Sequence, residues 1–130
     1  MTSDKSKKYD LEECTFSFAQ KVIYYVDSLP KRTSNYEIGI QLVRSAGSVG
    51  ANYNEANESL SKKDFIMRIK ICRKEAKESR YWLNLSSPDT KNIELRAHII
   101  DESTQLIKIF VTIIKNANIK IRIWDLVLVI

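Results

Sequence analysis

From Leu11 onward the apolar residues keep step with an α-helix. Leu11, Cys14, Phe18, Val22, Tyr25 and Leu29 recur three and four apart, which gathers them on one face of a helix that Pro30 ends. After Lys31 and Arg32, Thr33 or Ser34 is placed to cap a second helix, whose inner stripe reads Ile38, Leu42, Ser45, Val49, Asn52, Ala56 and Leu60. Ser61 stands three residues ahead of Asp64 in the manner of a capping box and opens a third helix, with the stripe Phe65, Ile69, Cys72, Ala76 and Leu83. The loop "SSPDT" at 86–90 offers Asp89 or Thr90 as the cap of a fourth. That helix turns Ile99, Ser103, Leu106, Phe110 and Ile113 inward, with Ile100, Ile107, Val111 and Ile114 beside them, and "NAN" at 116–118 is expected to end it. The remaining "IKIRIWDLVLVI" alternates like a strand and then runs apolar. Extension of the fourth helix, an edge strand on a partner and a disordered tail are all open to it.

Four amphipathic helices on short connections predict an all-α, antiparallel up-and-down four-helix bundle, because short loops force neighbours to run in opposite directions. Composition agrees. A chain of 130 residues suits one domain, and three glycines and two prolines supply too few turns for a many-stranded β fold. Residues 1–9 read as a disordered tail, 10–118 as the bundle and 119–130 as an apolar tail without a firm assignment. "MTSDKSKK" has no apolar core and no run approaches about 18 apolar residues, so a cytoplasmic protein that does not enter the membrane is expected.

Residues that carry chemistry are sparse. His98 is the only histidine, so neither a His-based metal cluster nor a Ser-His-Asp set has its parts. Cys14 and Cys72 lie among apolar neighbours and read as buried free thiols. "GSVG" at 47–50 has the letters of the G-x-x-G loop of KH domains, yet it sits inside a helical period with no strand beside it. The expectation is a non-catalytic protein without metal or cofactor.

Charge changes this picture more. The chain carries +5 with a pI near 9.2, and residues 61–80 hold eight basic residues against three acids, which equals the whole excess. At 100° per residue Lys63, Lys70, Lys74 and Lys77 fall within about 60° of one another, opposite the apolar stripe, with Tyr81 on the same side. Lys62, Arg73 and Arg80 flank them. A basic stripe beside an aromatic suits the phosphate backbone of RNA or DNA; a merely solvated outer face is the plainer reading of such a run.

The second helix holds poor helix formers where its period needs good ones. Ser45 and Asn52 on the inner stripe require hydrogen-bond partners, and Arg44 on its flank is placed to reach Glu75 or Glu78 of the third helix as a structural pair. Gly47, Gly50, Asn54 and Asn57 project to the side opposite the core. They read either as a close subunit contact or as a local weakness costing about 1 kcal/mol per glycine. Trp82, on a face shared with Ile71, Glu75 and Glu78, suits a core edge or a protein interface.

The segment "QLVRSAGSVGANYNEA" (41–56) followed by "SKKDFIMRIKICRKEAKESRYWLNL" (61–85) resembles the four helix bundle protein family also called 23S rRNA intervening-sequence proteins. The matching positions are Gln41, Leu42, Arg44, Ser45, Ala46, Ser48, Val49, Asn52 and Glu55, then Ser61, Asp64 and Phe65, then Lys74, Glu75, Glu78, Ser79, Tyr81, Trp82 and Leu83. Ala56 departs from the pattern, in which glycine often follows the glutamate. The resemblance implies an all-α bundle whose family name records a genomic location rather than an activity. It is similar also to accessory proteins of diversity-generating retroelements, which implies a homopentameric ring, nucleic-acid binding, and a reverse transcriptase or ribosomal component as partner. A protein-interaction module without nucleic-acid binding is the alternative.

Overall fold

The structure is a computed structural model describing the backbone of residues 10–129 and the side chains of residues 10–120. The tail expected at 1–9 lies outside the described residues. Helices α1 (Leu11–Asp27), α2 (Thr33–Asn57), α3 (Lys62–Leu85) and α4 (Ile93–Val129) follow in order, and one 3₁₀ turn at Thr90–Asn92 leads into the last. Each helix packs on the next, and α4 returns lightly against α1. Neighbours are antiparallel. Thr15 and Val26 of α1 face Gly50 and Gly39 of α2, while Arg44, Ser45 and Asn52 meet Glu78, Ser79 and Arg68 of α3. The fold is thus an all-α, up-and-down four-helix bundle.

Local chemistry sets the helix starts. Asp10 accepts a hydrogen bond from the Glu13 N–H, and Ser61 one from the Asp64 N–H at 3.1 Å, each satisfying a donor that the first turn leaves open. At α2 the structure differs from expectation: Arg32, rather than Thr33 or Ser34, occupies the cap position and makes no side-chain cap bond. The polar residue that organises this end is Asn35. Its amide donates to the carbonyls of Pro30 and Ser87, and its oxygen accepts from the Ser87 N–H.

Phe18, Val22, Tyr25, Leu42, Val49, Ile69, Leu83, Ile99 and Phe110 form the buried centre. Several stripe positions shift, and in α2 Ile38 is only half-buried beside buried Gly39. Thr15 is buried where Cys14 was expected, because its hydroxyl is satisfied by the Leu11 carbonyl at 2.7 Å and its small side chain lets α2 come close. Ile66 is buried and Phe65 only half so; likewise Ile114 rather than Ile113. Leu60 is fully exposed, since α2 stops at Asn57 and leaves it in the loop. Nor does "NAN" end α4, which continues to Val129. Asn116 and Asn118 are exposed and Ala117 packs on the core, and asparagine at such positions costs a helix less than about 1 kcal/mol.

Burial sets the acidity of two core groups. Burial raises the Tyr25 phenol, partly offset by its 2.6 Å hydrogen bond to the Ser86 hydroxyl. Burial also pushes the Cys72 thiol up to about 12, while its S–H points to the Val49 carbonyl. Near pH 8 this lowers the reactive thiolate of Cys72 on the order of a thousandfold relative to an ordinary thiol. Iodoacetamide should therefore modify half-buried Cys14 in the native protein while sparing Cys72, and modify both in urea. Equal native labelling rates in a mass spectrum would contradict this.

Candidate functional site

α3 lies between α2 and α4, and it buries Ile66, Ile69, Cys72, Glu75, Ala76, Ser79 and Leu83. The opposite side of the same helix faces outward. Lys63, Lys70, Lys74 and Lys77 are exposed there, and Arg73 and Arg80 are half-buried. Lys70, Arg73, Lys74 and Lys77, with Met67 and Ile71, line a shallow depression of about 400 Å³. Tyr81 is 58% exposed and meets Trp82 edge-on, with centroids 5.0 Å apart. Among the described residues, none of Lys63, Lys70, Arg73, Lys74 and Lys77 is paired with an acid. Arg80 is committed elsewhere: it donates to the Thr104 hydroxyl and ties α3 to α4.

The α2–α3 seam gathers the polar residues singled out from the sequence. Arg44 donates to Glu78 Oε2, which also accepts the Trp82 indole N–H at 3.2 Å. A second guanidinium nitrogen of Arg44 lies 3.8 Å from Glu75 Oε1, a buried oxygen with no hydrogen-bond partner. The Ser45 and Ser79 hydroxyls meet at 2.9 Å in the core. Asn52 is half-buried at the edge, donating to the Ser48 carbonyl and accepting from Arg68. Removing Arg44 leaves Glu75 buried without a counter-charge, although the half-exposed guanidinium limits the effect through solvent screening. Arg44→Ala should cost about 1–2 kcal/mol in urea unfolding; an unchanged midpoint would show the pair to be inert.

The small residues of α2 separate into two environments. Gly50 does not face away from the bundle: a Cβ there would stand 3.0 Å from the Thr15 hydroxyl oxygen, so its bareness lets α1 approach. Gly47 does face open space, with nothing within 4 Å of such an atom, and Asn54 is exposed. A helix in a bundle has two neighbours roughly at right angles, and the side opposite α3 is partly covered by α1. Asn57 likewise turns to Glu12 of α1.

Beside these glycines lies a feature that the single inner stripe concealed. Tyr36, Ile40 and Val43 are 70%, 48% and 36% exposed. With Val26, Leu29, Pro30 and Gly39 they line a largely apolar groove of about 970 Å³ between the end of α1 and the start of α2. The signal was present as a second repeat of four and three, from Tyr36 through Ile40, Val43, Gly47, Gly50 and Asn54.

His98 sits one turn from Glu102 with 3.1 Å between them, and Lys21 binds the same carboxylate oxygen. This is an ion pair joining α1 to α4. Among the described residues no group of three or more histidine, cysteine or acidic side chains is arranged to hold a metal. No described helix is long and apolar enough to cross a membrane.

A family model described as 23S rRNA-intervening sequence protein matches residues 7–111. A crystal structure of a protein of unknown function of the S23 ribosomal protein family, from Bacteroides thetaiotaomicron VPI-5482, superposes with a TM-score of 0.71. The two are 30% identical, over 82% of this chain and 99% of that one. No curated protein matches the chain.

Proposed function

The chain belongs to the 23S rRNA-intervening sequence protein family, and from that premise we propose that it is a non-catalytic, self-associating bundle that holds RNA or DNA against the basic face of α3. The observation that carries the reading is the set Lys63, Lys70, Arg73, Lys74 and Lys77, the lysines exposed and Arg73 half-buried on one outward flank, without an acid to neutralise them among the described residues. Such a face exchanges condensed counterions for its own cations, so its affinity is set by salt. Tyr81 at the end of the stripe adds a surface on which an unpaired base can stack. The protein acts in the cytoplasm as an accessory or scaffold, with a reverse transcriptase or a ribosomal component as the class of protein it would serve. Fluorescence anisotropy with a structured RNA tests this. Log affinity should fall linearly with log salt, by about 0.7–0.9 per phosphate neutralised, and a flat response would sink the reading.

A protein-interaction module is the second reading, favoured by the exposed Tyr36–Ile40–Val43 stripe. The two are compatible, since the stripe lines the α1–α2 groove and the basic residues line a separate depression on the outer side of α3. Self-association through the α2 flank, with Gly47 and Asn54 continuing the stripe, leaves the basic face open. A homopentameric ring is the assembly in keeping with the family resemblance.

A further inference from the structure

α4 is longer than the bundle it belongs to. It has 37 residues against 25 in α2 and 24 in α3. Around one hollow, Ile113, Asn116, Ala117 and Lys120 of α4 face Ser59–Lys62 and Phe65, so residue 120 is level with the α2–α3 loop. Residues 121–129 therefore overhang that loop by about 13 Å of continuous helix. Of these nine residues seven are apolar, with only Arg122 and Asp125 charged. A helix apolar on nearly all sides belongs in an interior, yet the family match ends at residue 111, and past its α2–α3 loop the described chain offers no further helix beside the overhang.

The apolar groove lies at the opposite pole, where α1 ends and α2 begins. Its floor along α2, from Tyr36 to Arg44, is about 12 Å long, close to the length of the overhang. Its lining carries Asp27 together with Lys31 and Arg32, while Arg44 is already engaged by Glu78; acid and base are thus both present for Arg122 and Asp125, which stand about a turn apart in the sequence. A chain cannot fill its own groove, because α4 runs straight away from it over the length of the bundle.

We propose that the α4 overhang of one copy seats in the α1–α2 groove of the next. The contact is head-to-tail, so it closes into a ring or propagates as a filament, depending on the rotation it imposes. It rests on the self-association proposed above and supplies its occupant and register.

Light scattering on the full chain without nucleic acid tests it, using Ile40→Glu in the groove and the pair Leu126→Glu with Val127→Glu in the overhang. The native protein is expected to be a multimer. Each variant alone should fall to the mass of one 15.1 kDa chain with its helical circular dichroism retained, and an equimolar mixture should regain a one-to-one complex. The complex forms because one variant keeps the overhang and the other the groove. Tyr36→Glu, at a 70% exposed position, should repeat the Ile40→Glu result should that variant fold poorly. A multimer that survives both variants would overturn the docking and leave self-association standing. Loss of assembly in the overhang variant alone would mean that overhangs pair with each other, which also overturns it, as would a mixture that stays monomeric. A monomeric native protein removes self-association itself.

Discussion

Changing Lys70, Lys74 and Lys77 together to glutamate is expected to weaken binding of a structured RNA by at least about a hundredfold near 100 mM salt, while thermal unfolding stays close to native. The three lysines are exposed, carry no ion pair among the described residues, and lie opposite the buried stripe of α3. Their loss therefore removes no packing. If each meets one phosphate, the slope of log affinity against log salt should become shallower by about 2.7, and those contacts alone correspond to a roughly 40-fold loss between 50 and 200 mM salt in the native protein. Reversal adds repulsion between glutamate and phosphate to the lost attraction. Two controls separate this from a general charge effect. Lys21 is already paired with Glu102 and Arg80 already bonded to Thr104, so Lys21→Glu and Arg80→Gln should change the salt slope by less than one unit. If all these variants reduce affinity equally, net charge rather than the α3 face determines binding.

The second large effect concerns stability. Gly50→Leu should destabilise the bundle by about 1–3 kcal/mol, on the order of 5–10 °C in thermal midpoint, whereas Gly47→Ala should raise stability by about 1 kcal/mol. The two glycines are three residues apart on one helix and look equivalent on paper. At Gly50 a first added carbon already meets the Thr15 hydroxyl oxygen at 3.0 Å and its Cβ at 3.3 Å, and the rest of a leucine must drive α1 off α2. Thr15 has little room to yield, because its hydroxyl is bound to the Leu11 carbonyl. At Gly47 nothing lies within 4 Å, so alanine only restores the helix propensity that glycine forfeits. Equal midpoints for the two variants would show that α1 does not need this close approach.

That contrast also shows where sequence reasoning succeeds here. The inner stripe of α3 was legible because Ile69, Cys72, Ala76 and Leu83 repeat on one helical period, and the lysines fill the opposite arc. Reach along the α2–α3 seam was legible too, since Arg44 and Glu78 occupy facing flanks. What one stripe cannot encode is a second neighbour. α2 packs on α1 as well as α3, and the α1 contact is written in absences: Gly39 and Gly50, whose missing side chains admit Val26 and Thr15. For the same reason the apolar groove stayed hidden, its Tyr36, Ile40 and Val43 falling outside the core stripe. The course of α4 was obscured by a different competition. Asparagines at 116 and 118 have a weak local preference against helix, and packing of Ala117 on the core outweighs it.

Asn35 joins both connections at one pole of the bundle. Its buried amide holds the α1–α2 connection through Pro30 and the α3–α4 connection through Ser87 with three hydrogen bonds. At the same pole Tyr25 bonds Ser86, Asn92 bonds Ser28, and Arg96 bonds the Ser86 carbonyl. The two helical hairpins are thereby riveted at one end. Toward the far end the polar ties among the described residues are sparser, Asn57 to Glu12 and Arg68 to Asn52, before the projecting stem of α4. Opening the bundle from the riveted pole would strand several hydrogen-bonding groups at once, the Asn35 amide and the Tyr25 hydroxyl among them, so separation of the two hairpins is costliest there.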